Sequence, residues 1–335
     1  MPDSESAPLI SAHFRDAVRR SLASPPAGVD AWFASYCGEL ADDDGLRRYL
    51  RAMQQLLALI GGVERRDVID AGAGFGMGAS LLAHWGARRV YAIELHGRMI
   101  ESCGRILARD FAHLRTVCPI RADVGALPIA DGSVDVVLAV EAISHFFDVD
   151  AFLDACARVL RPGGWLLISD ANNARNRRIR AYTRDVWQRW EQGPHGRFGD
   201  HDVHETFREA RQRLIRGRFP DLPEDAVRAY ADGTAGLDAA QIAAAVLAHR
   251  AGGPAPAAFY RRGDLARDPR SGIVVERLFD PPQLGRRIER RGFSVRVLPH
   301  FGGARNDLLL AANNVLRRMS GFRYARAFRI AARKR

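Results

Sequence analysis

Two hydrophobic rhythms divide the chain, and one gives way to the other near residue 67. Ahead of that point, Leu46, Tyr49, Leu50, Met53, Leu56, Leu57 and Ile60 recur at the intervals that line one face of a helix. The segment AWFASY reads the same way and Pro25 and Pro26 break the run before it, so residues 1–62 are expected to be helical. Beyond it, DVIDAGAG, RRVYAIEL, TVCPIRAD, SVDVVLAV and GWLLISDA are short, apolar and rich in β-branched residues, with helix-length segments between them. That alternation predicts a parallel sheet with crossover helices, and near-continuous apolar runs suit strands covered on both faces.

After Asp170 the strand rhythm stops for about a hundred residues. NARNRRIRAYTRDVWQRWEQ, HETFREARQRLIRGRF and AAQIAAAVLAHR are expected helices, and GGPAPAAF is a loop. The α/β pattern resumes at SGIVVERLFDPPQLGRRIERRGFSVRVLP as strand or loop, helix, then strand, and RNDLLLAANNVLRRMSG reads as a further helix. The expected division is an N-terminal helical cap (1–62), an α/β core (63–170), a helical insertion (171–270) and a C-terminal completion of the core (271–335).

Composition narrows the class. Hydrophobic residues at 47% and charged residues at 27% of a 335-residue chain are globular proportions. No stretch is long and apolar enough to span a membrane, and MPDSESAPLISAHFRDAVRR lacks a secretory apolar region, so a cytoplasmic protein is expected. Cys37, Cys103, Cys118 and Cys156 lie far apart, without zinc-site spacing, and are expected to be free thiols. The formal charge of +11 is uneven: 17 basic against 22 acidic residues up to Asp170, then 33 against 17. The Arg-rich half, ending in LRRMSGFRYARAFRIAARKR, could touch an anionic surface weakly.

The chemistry concentrates in VIDAGAGFGMG. The first strand ends at Asp70, and Gly72, Gly74 and Gly76 follow at every second position. A glycine-rich turn at the carboxyl end of the first strand of an open sheet is where a nucleotide-like ligand approaches the backbone. Glu94 closes the second run, where a carboxylate can accept from both hydroxyls of a ribose. Asp123 closes the third, placed to accept from an exocyclic adenine amine, with the Val124 amide available to a ring nitrogen.

Taken in order, VIDAGAGFG, AIE, ADVGALPIADGSVDVVLAVEAISHF and RVLRPGGWLLISD resemble successive motifs of the class I S-adenosylmethionine-dependent methyltransferases, the resemblance covering residues 65–171. It implies an α/β, Rossmann-like sheet of seven strands with helices on both faces, the last strand antiparallel; FRIAARK resembles that strand. It also implies S-adenosyl-L-methionine as cofactor and S-adenosyl-L-homocysteine as product. Asp70, Gly72, Gly74 and Gly76 would line the methionine and ribose side, Glu94 the ribose, Asp123 and Val124 the adenine, and Val140, Glu141 and Ala142 the methionine portion and the transferring methyl, with Leu95 also among the cofactor-binding residues. Asp131 with Gly132, and Gly163 with Gly164, are expected only to make the turns before strands four and five.

Methyl transfer from a sulfonium is an in-line displacement that needs no universal catalytic side chain. A base near the methyl would still help a hydroxyl or ammonium acceptor, and His145 in EAISHF is the best-placed candidate, the alternative being a packing or hydrogen-bonding role that shapes the pocket. In the insertion, His195, His201 and His204 lie within ten residues of each other; their spacing matches no zinc pattern, so no metal is assigned, and His201 and His204 are candidate lid or base residues. Trp187, Trp190, Phe198 and Phe207 either form an apolar or cation-binding wall or belong to the helical core, and Asn172, Asn173 and Asn176 either contact the acceptor or cap the next helix. Nucleobase amino-methyltransferases usually carry Asn or Asp with Pro-Pro and an aromatic after strand four; EAISHF stands there instead and argues against a nucleic-acid substrate. The resulting expectation is methyl transfer to the oxygen or nitrogen of a small or medium-sized molecule, under a cap formed by the helical segments. The alternatives are a nicotinamide-dependent oxidoreductase, which LPIADGSVDVV and RVLRPGG do not support, and a non-catalytic cofactor-binding interaction protein. No oligomeric state is expected from the sequence.

Overall fold

The computed structural model describes residues 6–199, 201–258, 266–301, 315 and 321–335, with side chains from residue 14 onward. These fall into two compact units: residues 1–143, 148–173 and 280–335 in the first, residues 144–147 and 174–279 in the second.

The first unit is built on a seven-stranded sheet of order β3-β2-β1-β4-β5-β9-β8. Strands β1 (Asp67–Ala71), β2 (Arg89–Glu94), β3 (Val117–Arg121), β4 (Val134–Val140) and β5 (Leu160–Asp170) run parallel. β9 (Ala327–Lys334) lies antiparallel between β5 and β8 (Phe293–His300). FRIAARK thus supplies the expected antiparallel strand. All five residues of β1 are buried, as a central strand covered on both faces requires. Helices α4 (Met77–His84) and α5 (Gly97–Asp110) follow β1 and β2, and α6 (Val149–Val159) follows β4. The strand order advances one way from β1 to β3 and the other way from β4 to β5. Right-handed crossovers therefore place α4 and α5 on the face opposite α6.

The N-terminal helices are α1 (Ser6–Ala23), α2 (Trp32–Tyr36) and α3 (Asp43–Leu57). Asp42 caps α3 by accepting from the Gly45 amide at 3.0 Å, and Leu46, Leu50, Met53, Leu56 and Leu57 on its buried stripe join one core with Phe14 and Val18 of α1 and Val68, Val90 and Val136 of the sheet. Burial of each such leucine contributes roughly 1.5–3 kcal/mol. The Gly163–Gly164 pair departs from expectation. It lies inside β5, where Leu160 pairs with Val134 but Trp165 with Val136, so the extra residues form a bulge. A Cβ on Gly164 would stand 2.9 Å from the Arg161 carbonyl oxygen, which is why a glycine closes that bulge.

The second unit holds α7 (Arg177–Gln192), a hairpin of β6 (Gly196–Phe198) and β7 (His201–Val203), α8 (Phe207–Arg218), α9 (Glu224–Gly233) and α10 (Ala239–Arg250). Three of these helices match the expected segments. The hairpin and α9 do not, and the unit extends to Phe279 where the expected insertion ended at 270. Within SGIVVERLF, Val274 makes only an isolated bridge to Arg267, so the loop reading holds over the strand reading. Helix α11 (Pro281–Glu289) returns the chain to the first unit. The helix expected over 304–320, apart from Val315, lies outside the described residues, as does Asp200.

Candidate active site

The loop from β1 to α4 takes its shape from glycine. Gly72, Gly74 and Gly76 have φ of 77°, 55° and 81°, the left-handed region that residues with a Cβ enter at a cost of about 1–2 kcal/mol. Two successive amides, of Gly72 and Ala73, donate to the Ile93 carbonyl at 2.9 Å each, and the Gly74 amide donates to Glu94 Oε2 at 3.0 Å. The other oxygen of Glu94 accepts from the His96 amide at 2.8 Å. Each carboxylate oxygen can accept twice, so Glu94 holds the loop and retains acceptor capacity on both oxygens for a pair of vicinal hydroxyls.

Strand β1 runs one residue past the expected end at Asp70, and Asp70 has only 6% of its surface exposed. Burial, followed by the charge of Glu94, pushes its carboxyl up to about 7, opposed by a hydrogen bond from the Ala79 amide. A Cβ on Gly78 would come within 2.9 Å of Asp70 Oδ2. The sheet order β2-β1-β4 brings Glu94, Asp70 and Glu141 to adjacent strand ends. Glu141, just past β4, has φ of 48°, a strained value for a non-glycine residue. Its amide donates to the Ser169 carbonyl at 2.7 Å and its Oε2 accepts from the Ala171 amide at 3.0 Å, which ties the end of β4 to the end of β5. Past β3, Asp123 is exposed and accepts from the Gly125 amide at 2.7 Å; Val124 is buried and Leu95 is 48% exposed. Val140 is half-buried at the end of β4. The eleven residues expected around the cofactor, Ala142 included, thus sit at or just past the carboxyl ends of β1 to β4 in one unit. Acceptors for ribose hydroxyls, acids for an ammonium group and a side-chain-free loop between them fit S-adenosylmethionine.

Residues 69–168 match the family model described as a methyltransferase domain. The chain carries a class I S-adenosylmethionine-dependent methyltransferase domain. It is 39% identical over 112 residues to a "probable S-adenosylmethionine-dependent methyltransferase" of Mycolicibacterium smegmatis, covering 32% of this chain and 38% of that one. It is 34% identical over 148 residues to the fatty-acid O-methyltransferase of the same organism, covering 44% and 49%. The chain therefore spans less than half the length of these curated relatives. A solved S-adenosylmethionine-dependent methyltransferase from Mesorhizobium loti aligns over 85% of this chain and 98% of its own, with a TM-score of 0.46 and 16% identity.

The residues expected on the acceptor side have separate partners. His145 and the insertion histidines belong to the second unit. His145 Nδ1 is 2.9 Å from the Val274 carbonyl oxygen. A carbonyl only accepts, so Nδ1 carries the proton and Nε2 is the unprotonated nitrogen of the neutral ring. In His201 the order is reversed: Nδ1 accepts from Trp190 Nε1 at 3.3 Å, which leaves the proton on Nε2. The His204 side chain is 85% exposed, 3.3 Å from Asp202, and His195 Nε2 is 2.7 Å from Glu209. Glu209 is held down to about 2 by the Thr206 amide and by His195, so that histidine braces the Glu209 carboxylate of the Thr206–Glu209 capping box at the start of α8. Among the described residues no group of three potential metal ligands occurs.

The aromatic residues are mostly structural. Trp187 is buried and donates to the Glu276 carbonyl, and Trp190 stacks on Phe207 at 5.1 Å. Phe198 stacks with Tyr182 at 5.4 Å and has the Arg189 guanidinium over its ring at 4.4 Å, so a cation of the protein already faces it. Asn176 caps α7 through the Arg178 and Ile179 amides, and buried Asn173 donates to the Phe322 and Ala325 carbonyls. Asn176 thus takes the capping alternative, whereas Asn173 does not cap the helix. Sequence reasoning missed Tyr36, whose hydroxyl approaches Gly74 in the loop, and Tyr49, whose hydroxyl approaches Gly78 in the first turn of α4; both sit on helical segments, where an aromatic residue reads simply as core.

Proposed function

We propose that the protein transfers the methyl group of S-adenosylmethionine to an oxygen or nitrogen of a small or medium-sized acceptor. The observation that supports this most is Glu94. It braces the glycine loop through the Gly74 amide and keeps acceptor capacity on both oxygens at the strand end where a ribose is held. Bound there, the cofactor supplies a methyl group on a sulfonium, whose leaving group is a neutral thioether. The chain's part is to hold the donor rigidly, to present an acceptor in line and to keep water out. The strapped Glu141 fixes the end of β4 for the first of these tasks. Acceptor recognition is assigned to residues 174–279, which this chain adds beyond the matched domain. His145 is the candidate base, because its Nδ1 contact with Val274 leaves Nε2 as the proton acceptor.

The test is release of S-adenosylhomocysteine from S-adenosylmethionine in the presence of a panel of carboxylic, hydroxylated and amine acceptors. Acceptor-dependent release supports the proposal. Cofactor binding with no turnover on any class would move the reading to a non-catalytic binding protein. Once an acceptor is found, His145→Gln is expected to lower kcat by about 10²–10⁴-fold if His145 is the base, and His204→Ala to leave it unchanged.

A further inference from the structure

Trp32 and Tyr36 expose 52% and 51% of their surfaces, unusual for large aromatic residues beside a core. Both pack edge-on against Phe75, the residue between Gly74 and Gly76, at ring separations of 6.3 Å and 5.4 Å, and against each other at 5.0 Å. Phe33 braces the same ring from the buried side at 5.2 Å. The segment is pinned at its start, where the Asp30 amide donates to Ser102 of α5 and Asp30 in turn accepts from the Trp32 amide. The clasp therefore places α2 over the glycine loop, with the Tyr36 hydroxyl 3.4 Å from the point a Cβ of residue 74 would occupy.

The surroundings of that hydroxyl are acidic. Burial, and after it the neighbouring Cys37 and the carboxylates of Glu94, Asp70 and Glu141, push the phenol up to about 12. Tyr36 is thus a neutral O–H donor at neutral pH, and it makes no hydrogen bond among the described residues. A ligand with an α-amino acid end would bring an ammonium suited to the acids and a carboxylate that needs donors in an otherwise acidic site.

We propose that Tyr36 is a cofactor-positioning residue whose hydroxyl donates to the α-carboxylate of the methionine portion, with Trp32 and Phe75 holding its ring in place. The proposal rests on the methyltransferase reading and extends it to the N-terminal segment, outside the matched domain. It gives α2 a task in selecting the amino-acid end of the donor, distinct from the ribose contact given to Glu94.

The test compares two ligands that share adenosine and the thioether but differ at that end: S-adenosylhomocysteine, and methylthioadenosine, which lacks the α-amino acid. Binding of each to the wild type and to Tyr36→Phe is measured by calorimetry, with thermal melts showing that the variant is folded. The expected result is a loss of roughly 10- to 100-fold in affinity for S-adenosylhomocysteine, on the scale of a hydrogen bond to a charged group, with methylthioadenosine affinity unchanged. Equal loss for both ligands would show that the hydroxyl only shapes the loop, and no loss for either would show that it touches neither; both outcomes overturn the proposal. A wild type that binds neither ligand would overturn the methyltransferase reading itself and this proposal with it.

Discussion

Replacing Gly76 by alanine tests how tightly the cofactor loop is locked to the helix behind it. The added Cβ would lie 2.3 Å from Cys103 Sγ and 3.4 Å from Cys103 Cβ, and Cys103 is fully buried on α5. Two costs separate cleanly. Holding a residue with a Cβ at φ of 81° costs about 1–2 kcal/mol, and forcing it into a filled space costs about 1–3 kcal/mol more. Gly76→Ala is therefore expected to destabilise the protein by about 2–5 kcal/mol. Cys103→Ala alone removes one buried sulfur, a loss of about 1 kcal/mol on the scale of a buried methylene. In the double variant the clash has no second partner, so only the backbone part and the small cavity remain. Urea unfolding of the four proteins should show a coupling of about 1–3 kcal/mol in favour of the double variant. Effects that add to within about 0.5 kcal/mol would refute the packing argument. Cofactor affinity in the double variant should recover with stability, since the loop conformation is then regained.

Three other outcomes follow from buried charges. Asp70 has a folded value of about 7 against an ordinary 3.8, so the folded protein binds the extra proton and stability falls as pH rises from about 4 to about 7; Asp70→Asn should flatten that slope in thermal melts. A cationic ligand that favours the ionised form should release a proton on binding below pH 7, seen as buffer-dependent calorimetric heats, and identical heats in all buffers would count against that assignment. In the second unit, Arg211 is 1% exposed and pairs with Glu191 while donating to the Ala231 carbonyl. Glu191→Ala should cost about 3–5 kcal/mol in chemical denaturation because a buried guanidinium loses its counter-charge, and a loss below about 1 kcal/mol would show that water already reaches the pair.

The parallel core was legible because its signals are local. A strand covered on both faces writes a continuous apolar run, and a loop that needs left-handed backbone writes glycines at fixed positions, so β1 to β5, the final strand FRIAARK and the place of Glu94 could all be read. Helix α9 was readable in principle: Pro223 precedes Glu224 and Asp225 in the first turn, and Val227 and Ala231 form its buried face. The β6–β7 hairpin was not, since GRF and HDV are three-residue strands without apolar alternation. The Gly163–Gly164 bulge needed the register between β4 and β5, which is a tertiary property. The same holds for the site. Glu94 announces itself at a strand end, but the Tyr36 hydroxyl reaches the loop only through the Phe75 clasp, and the tautomer of His145 depends on the carbonyl of Val274, far along the chain.

The central claim is that the strand ends of the first unit hold S-adenosylmethionine through Glu94. Calorimetry of the wild type with S-adenosylhomocysteine, NADH and NADPH, repeated on Glu94→Ala, tests it most directly. S-adenosylhomocysteine should bind the wild type and neither nicotinamide should. The variant should lose about 1.5–3 kcal/mol of binding free energy, on the scale of hydrogen bonds to a charged group. Binding of a nicotinamide in place of S-adenosylhomocysteine, or undiminished affinity in a folded Glu94→Ala protein, would contradict it.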